Sequence, residues 1–448
     1  MNWGINLSKI ILFIFGCLIG RFAEGQTISV TTQKYNQDNG FFFTQNNKEG
    51  TPRYIADIQH FSIEHGLSHW HVHTVMQDSR GFIWIGTDYG LNRYDGYGFK
   101  IFKKEAFDST SLATNFITSL LIDSDENLWV GTLSGGLHLY VPEKENFIRF
   151  YNRPDDPNSI IHDNITALHE DLKGNLWVGT AQGICRVLLI WEDNKPKLNF
   201  EVIPYPNGLP DLLPSDRYIR TLFSDGKNRF WVGTLNGLFC FDLDENLNLK
   251  FRKKYFAKQK IKTVLADTLG NIWVGMQSGL YQFSDTEESF DLFENLKVNE
   301  IKKLKNGDLA IGAESGLSIL KFENGECPEE TEKIRITDSN SRSKISINRI
   351  WEDRIHPNLI WLGTPVSGLQ KMEKRIKQFE SGIPKLSRKS SVSSSVKNLL
   401  KDPNEKFWMT VDEGILKYNA STQKYNLKKA LQTGDFFLPV NRISRLWL

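Results

Sequence analysis

One phrase recurs through this chain and limits its fold more than any other feature. In Asp78-Ser79-Arg80-Gly81-Phe82-Ile83-Trp84-Ile85-Gly86-Thr87, continuing as Asp88-Tyr89-Gly90-Leu91, a turn, an apolar run, a second turn and another apolar run follow in fixed order. The Trp returns as Trp129, Trp177, Trp231, Trp273, Trp361 and Trp408, with Ala310 in the Trp slot of a weaker copy. The steps run from 37 residues (273 to 310) to 54 (177 to 231). Such a period belongs to propellers and solenoids, whose units bury their apolar faces only against their neighbours.

Ahead of each Trp lies an alternating or apolar stretch that reads as a strand, as in Val72 to Gln77, Ile117 to Ile122, Ile165 to Glu170 and Ile219 to Phe223. The following Asp-x-x-Gly (Asp78 to Gly81, Asp171 to Gly174, Asp267 to Gly270) suits a hairpin turn, because Asp bonds its own backbone and Gly accepts positive φ. The Trp strand is apolar on both faces, which predicts a strand sandwiched between sheets, with its Trp in the core rather than on a sugar platform. Two residues after the Trp slot, Gly86, Gly131, Gly179, Gly233, Gly275, Gly312 and Gly363 mark a close approach that excludes a side chain. A second turn, a third strand (Leu91 to Tyr94) and an aromatic-rich fourth (Phe99 to Phe102, Phe147 to Phe150) complete a four-stranded blade. No segment carries a sustained helical period.

The copies from Trp84 to Trp361 count seven blades, and the copy at Trp408 an eighth. His60-Phe61-Ser62-Ile63-Glu64 reads as an isolated fourth strand, so the chain starts out of phase and can seal a ring by pairing its beginning with the last blade. Ile376 to Glu380 repeats that offset. The expected fold is all-β: a seven-bladed β-propeller of four-stranded blades over residues 55–375, then the beginning of a second, incomplete propeller over 376–448. A single eight-bladed ring is the alternative. Arg442 to Leu448 reads as the opening strand of a further unit, and the chain is expected to be truncated inside a repeat.

With 55 Lys and Arg against 53 Asp and Glu there is no overall basic field, which argues against a nucleic-acid partner. Residues 1–25 read as a signal peptide: Lys9 closes a polar region, Ile10 to Gly20 is apolar but too short to span a bilayer, and Ala23-Glu24-Gly25 offers a cleavage site. Cys185 and Cys240 sit in equivalent runs at offsets differing by one, so they are expected to face opposite sides of their strands as buried thiols.

In a four-stranded blade, the loop entering the innermost strand and the turn between the second and third strands emerge on one face, and loops on a rigid scaffold are where ligands bind. Entering loops supply His69, Trp70, His71, His162, Asp163, Asp216, Arg217 and Tyr218; second turns supply Asp88, Tyr89, Gln182, Asn236, Gln277 and Glu314. Aromatic faces beside amides, carboxylates and imidazoles suit sugars, whose ring faces stack while their hydroxyls need hydrogen bonds. His69, His71 and His73 share a face of an extended strand, and imidazole is a zinc ligand. Yet no Cys or carboxylate cluster with metal spacing accompanies them, and His73 is expected to turn into the blade, so neither a metal nor another cofactor is expected. No Gly-x-Ser-x-Gly, His-Glu-x-x-His or phosphate loop appears, and no catalytic residue is assigned.

The phrase D-x-x-G-x-h-W-h-G-T-x-x-G-L closely resembles the two-component regulator propeller repeat, over about residues 55 to 448 and best at Trp84, Trp177 and Trp273. Phe61 to Ser68 and Asp95-Gly96-Tyr97 are similar to the start of such sensors. The family is the periplasmic sensor region of hybrid two-component histidine kinases in glycan-degrading bacteria. The resemblance implies a periplasmic propeller that binds an oligosaccharide and, in a full-length protein anchored in the inner membrane, signals to a kinase controlling polysaccharide-use genes. It also implies a second propeller and a membrane-anchored remainder missing from this chain, with a homodimer as one state open to the full-length receptor. No kinase activity is expected of the residues present. The rival readings are a propeller lyase or hydrolase acting on glycans and a protein-binding scaffold.

Overall fold

The computed structural model describes residues 39–44, 54–192, 195–203, 213–322, 331–336 and 345–376, and beyond them the strands 396–401, 407–411, 414–419 and 424–428. The expected signal peptide, the segment Lys377 to Glu380, the side chain of Trp408 and the run Arg442 to Leu448 lie outside the described residues.

Blade one is an antiparallel sheet of Val72–Gln77, Ile83–Thr87, Gly90–Tyr94 and Phe99–Phe102, in chain order. The next five blades repeat this order. Blade seven takes Arg349–Glu352, Leu359–Gly363 and Leu369–Ile376, and receives Tyr54–Phe61 as its fourth strand, in register from Tyr54 opposite Ile376 to Phe61 opposite Leu369. The beginning of the chain therefore seals the ring. The closing strand ends at Phe61, earlier than the sequence reading placed it, because Ser62 accepts the Glu64 N–H and Gly66 takes a φ of 98°, which together cap a tight turn over Ile63–His65. Asn39–Thr44 pairs with both Tyr54–Phe61 and the outer strand of blade six, Glu332–Ile336, and so clasps two blades along the rim.

Innermost strands touch in sequence around the ring, and that of blade seven returns to Val72–Gln77 of blade one. Seven blades thus close the circle, and the eight-bladed alternative falls. The strands at 396–401, 407–411, 414–419 and 424–428 form a further four-stranded sheet, which among the described residues is not hydrogen-bonded to the ring.

The core is seven layers, each between two blades. Trp84 packs with Ile117, Leu120 and Val130 of blade two, Trp177 with Ile219, Leu222 and Val232 of blade four, and Trp361 with Val72, Val75 and Ile85 of blade one. The glycine two residues later permits this contact. A Cβ on Gly86 would lie 2.7 Å from Ile117 Cγ2, one on Gly179 2.5 Å from Ile219 Cγ2, and one on Gly363 2.6 Å from Val72 Cγ1. Each blade's glycine therefore receives a β-branched residue of the next, and the last returns to the first.

Burying an indole requires a partner for its N–H. Trp84 donates to Asp78 (3.1 Å), Trp129 to Asp123 (2.7 Å), Trp177 to Asp171 (2.9 Å), Trp273 to Asp267 (2.9 Å) and Trp361 to Asp353 (3.2 Å). The same aspartates accept backbone N–H groups of their turns, as Asp171 does from Lys173 and Asn175. The repeated Asp is thus both turn former and Trp acceptor. In blade six, where Ala310 fills the Trp slot, Leu304 stands at the Asp position, so both partners are missing together. Cys185 and Cys240 are buried on opposite faces, one in the layer with Trp129 and the other in the layer with Ile261, and burial pushes their thiols up to about 11 and about 12.

Candidate functional site: the mouth of the central channel

In blades one to six the innermost strand shifts register by one residue immediately after its β-branched position. The extra residues are His73, Thr118, Thr166, Arg220, Lys262 and Asn299. Such a bulge re-aims one side chain without breaking the sheet. Two of them are cationic, and their charges interact with others around the ring. Arg220 belongs to blade four and Arg349 to blade seven, which are not neighbours, yet after burial itself the Arg349 charge is what most lowers the Arg220 pKa. Charges from blades four and seven therefore act on each other across the ring. Burial, then Arg220, Lys260 and Arg349, hold the Lys262 amine down to about 8. Arg220 Nε has no hydrogen-bond partner among the described residues. The mouth therefore carries a cationic, incompletely paired group of side chains.

Blade one, which adjoins blade seven in the closed ring, carries a histidine cluster, and the Arg349 charge is among those acting on His73. His71 and His73 flank the buried Val72, and their rings lie 4.1 Å apart. Asp88 reaches them from the second turn, because Val72 pairs with Thr87 and the strand start lies beside the turn. Its carboxylate is 3.3 Å from His71 Nδ1, bonds His73 Nε2, and lies 3.6 Å from His69 Nδ1. Burial lowers the His73 pKa to about 4, outweighing the bond to Asp88. The expectation that His73 turns into the blade is corrected: the bulge turns it out to Asp88. The carboxylate that the sequence seemed to lack is likewise present, fifteen positions beyond His73.

The remaining predicted contacts divide into rim and scaffold. Trp70 and Tyr89 expose 49% and 51% of their surface. The Trp70 carbonyl accepts the Gly368 N–H at 2.9 Å, its ring lies 4.3 Å from that of His69, and the Lys103 ammonium lies 4.1 Å from the Tyr89 ring centre. Gln182, Arg217 and Gln277 are exposed, Tyr218 is half-buried, and the exposed Glu314 pairs with Lys297 at 3.1 Å. His162 repeats a local role of His69, since each Nδ1 accepts the backbone N–H two residues on. Asp163 is held by the Asn152 N–H at 2.6 Å, and its carbonyl accepts the Gly136 N–H. Asn236 is buried, donating to Asp216 at 3.0 Å and accepting the Lys258 N–H at 3.1 Å, while Asp216 also holds Lys254. The side chains of Asp163 and Asn236 thus already hold loops together.

Arg220 and Lys262 were missed because a bulge leaves no gap in the sequence, and Arg349, which pairs in register with Gly363, because nothing local marks a side chain that acts across the ring. A signal exists nonetheless: Val72-His73-Thr74, Ile117-Thr118-Ser119, Ile219-Arg220-Thr221 and Ile261-Lys262-Thr263 each place two polar residues together where strict alternation allows one.

Two stretches, residues 67–89 and 111–134, match the two-component regulator propeller model. Over 48 residues the chain is 46% identical to a histidine kinase of Formosa agariphila, a match covering 11% of this chain and 4% of the kinase. The extracellular domain of a hybrid two-component system from B. thetaiotaomicron superposes with a TM-score of 0.59 and 25% identity, covering 83% of this chain and 55% of that one. A second such domain from the same organism gives 0.51 and 20%, covering 83% and 53%. This chain therefore spans about half the length of those domains. Virginiamycin B lyase from Staphylococcus aureus, at 13% identity and a TM-score of 0.51 over 71% of this chain and 99% of its own, shares the fold alone. Among the described residues no helix is long and apolar enough to cross a membrane.

Proposed function

We propose that this chain, a two-component regulator propeller protein, is the exported ligand-sensing region of a hybrid two-component regulator and that its ligand is an oligosaccharide bound over the channel mouth. The carrying observation is the contrast in aromatic burial: the repeat Trp residues of the ring are at most 3% exposed, whereas Trp70 and Tyr89, which the repeat does not require, expose about half of their surface. Flat aromatic faces beside hydrogen-bonding side chains recognise sugar rings. The cationic group of Arg220, Lys262 and Arg349 favours sugars carrying carboxylate or sulfate groups. In the full-length receptor, the sheet at 396–428 would open a second propeller, and occupancy of the first would be relayed to a kinase controlling polysaccharide-use genes.

Calorimetric titration with a panel of neutral and acidic oligosaccharides tests this, with the same samples analysed for breakdown products. The expected result is saturable binding of an acidic member without turnover. Loss of substrate would make the propeller an enzyme, and absence of both would leave a protein-binding scaffold. Trp70→Ala and Tyr218→Ala should each weaken binding by about tenfold, or ~1.4 kcal/mol, at unchanged melting temperature. Unchanged affinity in both variants would remove the ligand from this face.

A further inference from the structure

We propose that His71, His73 and Asp88 form a binding site for a divalent transition-metal ion, with zinc as the reference ion. One ligand atom from each residue lies within 4.8 Å of the other two. The donors come from two segments that the fold brings together, the start of the innermost strand and the turn beside it. Both imidazoles lie on the same side of buried Val72, and the bulge at His73 presents its Nε2 to the carboxylate that His71 also contacts. Two imidazoles and one carboxylate are a donor set that suits zinc, and three protein ligands leave a coordination position for water or a ligand oxygen. Side-chain exposures of 32% for His71, 19% for His73 and 28% for Asp88 leave a path for the ion.

The cluster is not part of the repeat. None of the other six blades of the ring has a histidine immediately before its β-branched residue, and at the position of Asp88 only blade six has a carboxylate, Glu314, which pairs with Lys297 at 3.1 Å. Those blades make the same turn without the triad, so the fold does not require it. His69 acts as a positioning residue: its Nδ1 accepts the His71 N–H at 3.2 Å and lies beside the Asp88 carboxylate, fixing the loop that carries two of the donors.

The test uses the full chain, stripped of metal with a chelator and titrated with Zn²⁺ by calorimetry, with Co²⁺ as an optical probe. One equivalent of Zn²⁺ should bind, and bound Co²⁺ should show the visible absorption of a low-symmetry, nitrogen-ligated ion. Asp88→Asn and His73→Gln should each weaken Zn²⁺ binding by at least ~10-fold, whereas His162→Gln, in the corresponding loop of blade three, should leave it unchanged. Absence of stoichiometric Zn²⁺ binding would overturn the proposal, as would full affinity in both Asp88→Asn and His73→Gln. The Co²⁺ spectrum of the unaltered chain decides the matter even where a variant fails to fold: bands absent from it would overturn the site directly.

Discussion

Two adjacent residues of each innermost strand behave oppositely around the ring. The first, Val72, Ile117, Ile165, Ile219, Ile261, Val298 or Ile347, is β-branched and has no exposed surface in every blade. The second, His73, Thr118, Thr166, Arg220, Lys262, Asn299 or Asn348, keeps neither size nor charge. One packs against the glycine of the preceding blade, and in the first six blades a bulge separates the other from it. The comparison teaches that the repeat specifies the wall and leaves the channel free, so chemistry can vary at the second position without loosening the ring.

The largest expected effect is on the wall. Trp177→Ala removes a fully buried indole from the layer between blades three and four and leaves Asp171 without the N–H it accepts. Such a truncation should cost ~3–5 kcal/mol, read by urea denaturation. Blade six shows what an accommodated loss requires: Lys302 stands opposite Ala310 in register, and its ammonium lies 4.3 Å from the Trp351 ring centre. In blade three His169 stands opposite Trp177, with no such long cation, so that blade should not absorb the change. A cost below about 1 kcal/mol would mean that any blade can do what blade six does.

Next in size is the glycine. Gly179→Ala places a methyl group 2.5 Å from Ile219 Cγ2 and 3.1 Å from Ala167 Cβ. Overpacking of this kind costs ~1–3 kcal/mol. In a double-mutant cycle, Gly179→Ala with Ile219→Ala should be less destabilised than the sum of the single changes, because the second removes the group struck by the first. Strict additivity would show that the blades do not meet at this pair.

The wall was legible because it repeats. Trp, Gly and turn Asp recur at fixed offsets, and the physical requirement behind each one, a sandwiched strand, a close approach or a tight turn, is local. What was not legible depends on register or on distance in sequence. The Asp-to-Trp hydrogen bond crosses a hairpin, the contact of Asp88 with His73 crosses a bulge, and the Arg349 charge acts on Arg220 only because the ring is closed. On the rim, residue type marked which loops face the mouth but not which side chains the scaffold had already engaged: Asn236 and Trp70 were equal candidates, yet the first is bound to Asp216 and the second is half exposed.

The smallest expected effect on stability falls on the lining. Lys262 has its amine held down to about 8, chiefly by burial and then by Arg220, against an ordinary value of 10.5. Below pH 8 the amine is charged in both the folded and unfolded chains, and the folded chain bears the cost of burying it. Between pH 8 and 10.5 the unfolded chain holds the proton that the folded one has released, so this group makes stability rise with pH. Lys262→Met removes the buried charge and should therefore raise stability at pH 7 by roughly 1 kcal/mol or less once solvent screening is allowed for, with the gain closing as pH approaches 10.5. The same variant should weaken an acidic oligosaccharide and spare a neutral one, and in the unaltered chain acidic-ligand affinity should fall as pH rises through about 8. Urea melts and calorimetry at pH 7 and 9.5 read both quantities. A destabilised Lys262→Met would return Lys262 to the wall, and equal losses for acidic and neutral sugars would show that its charge takes no part in recognition.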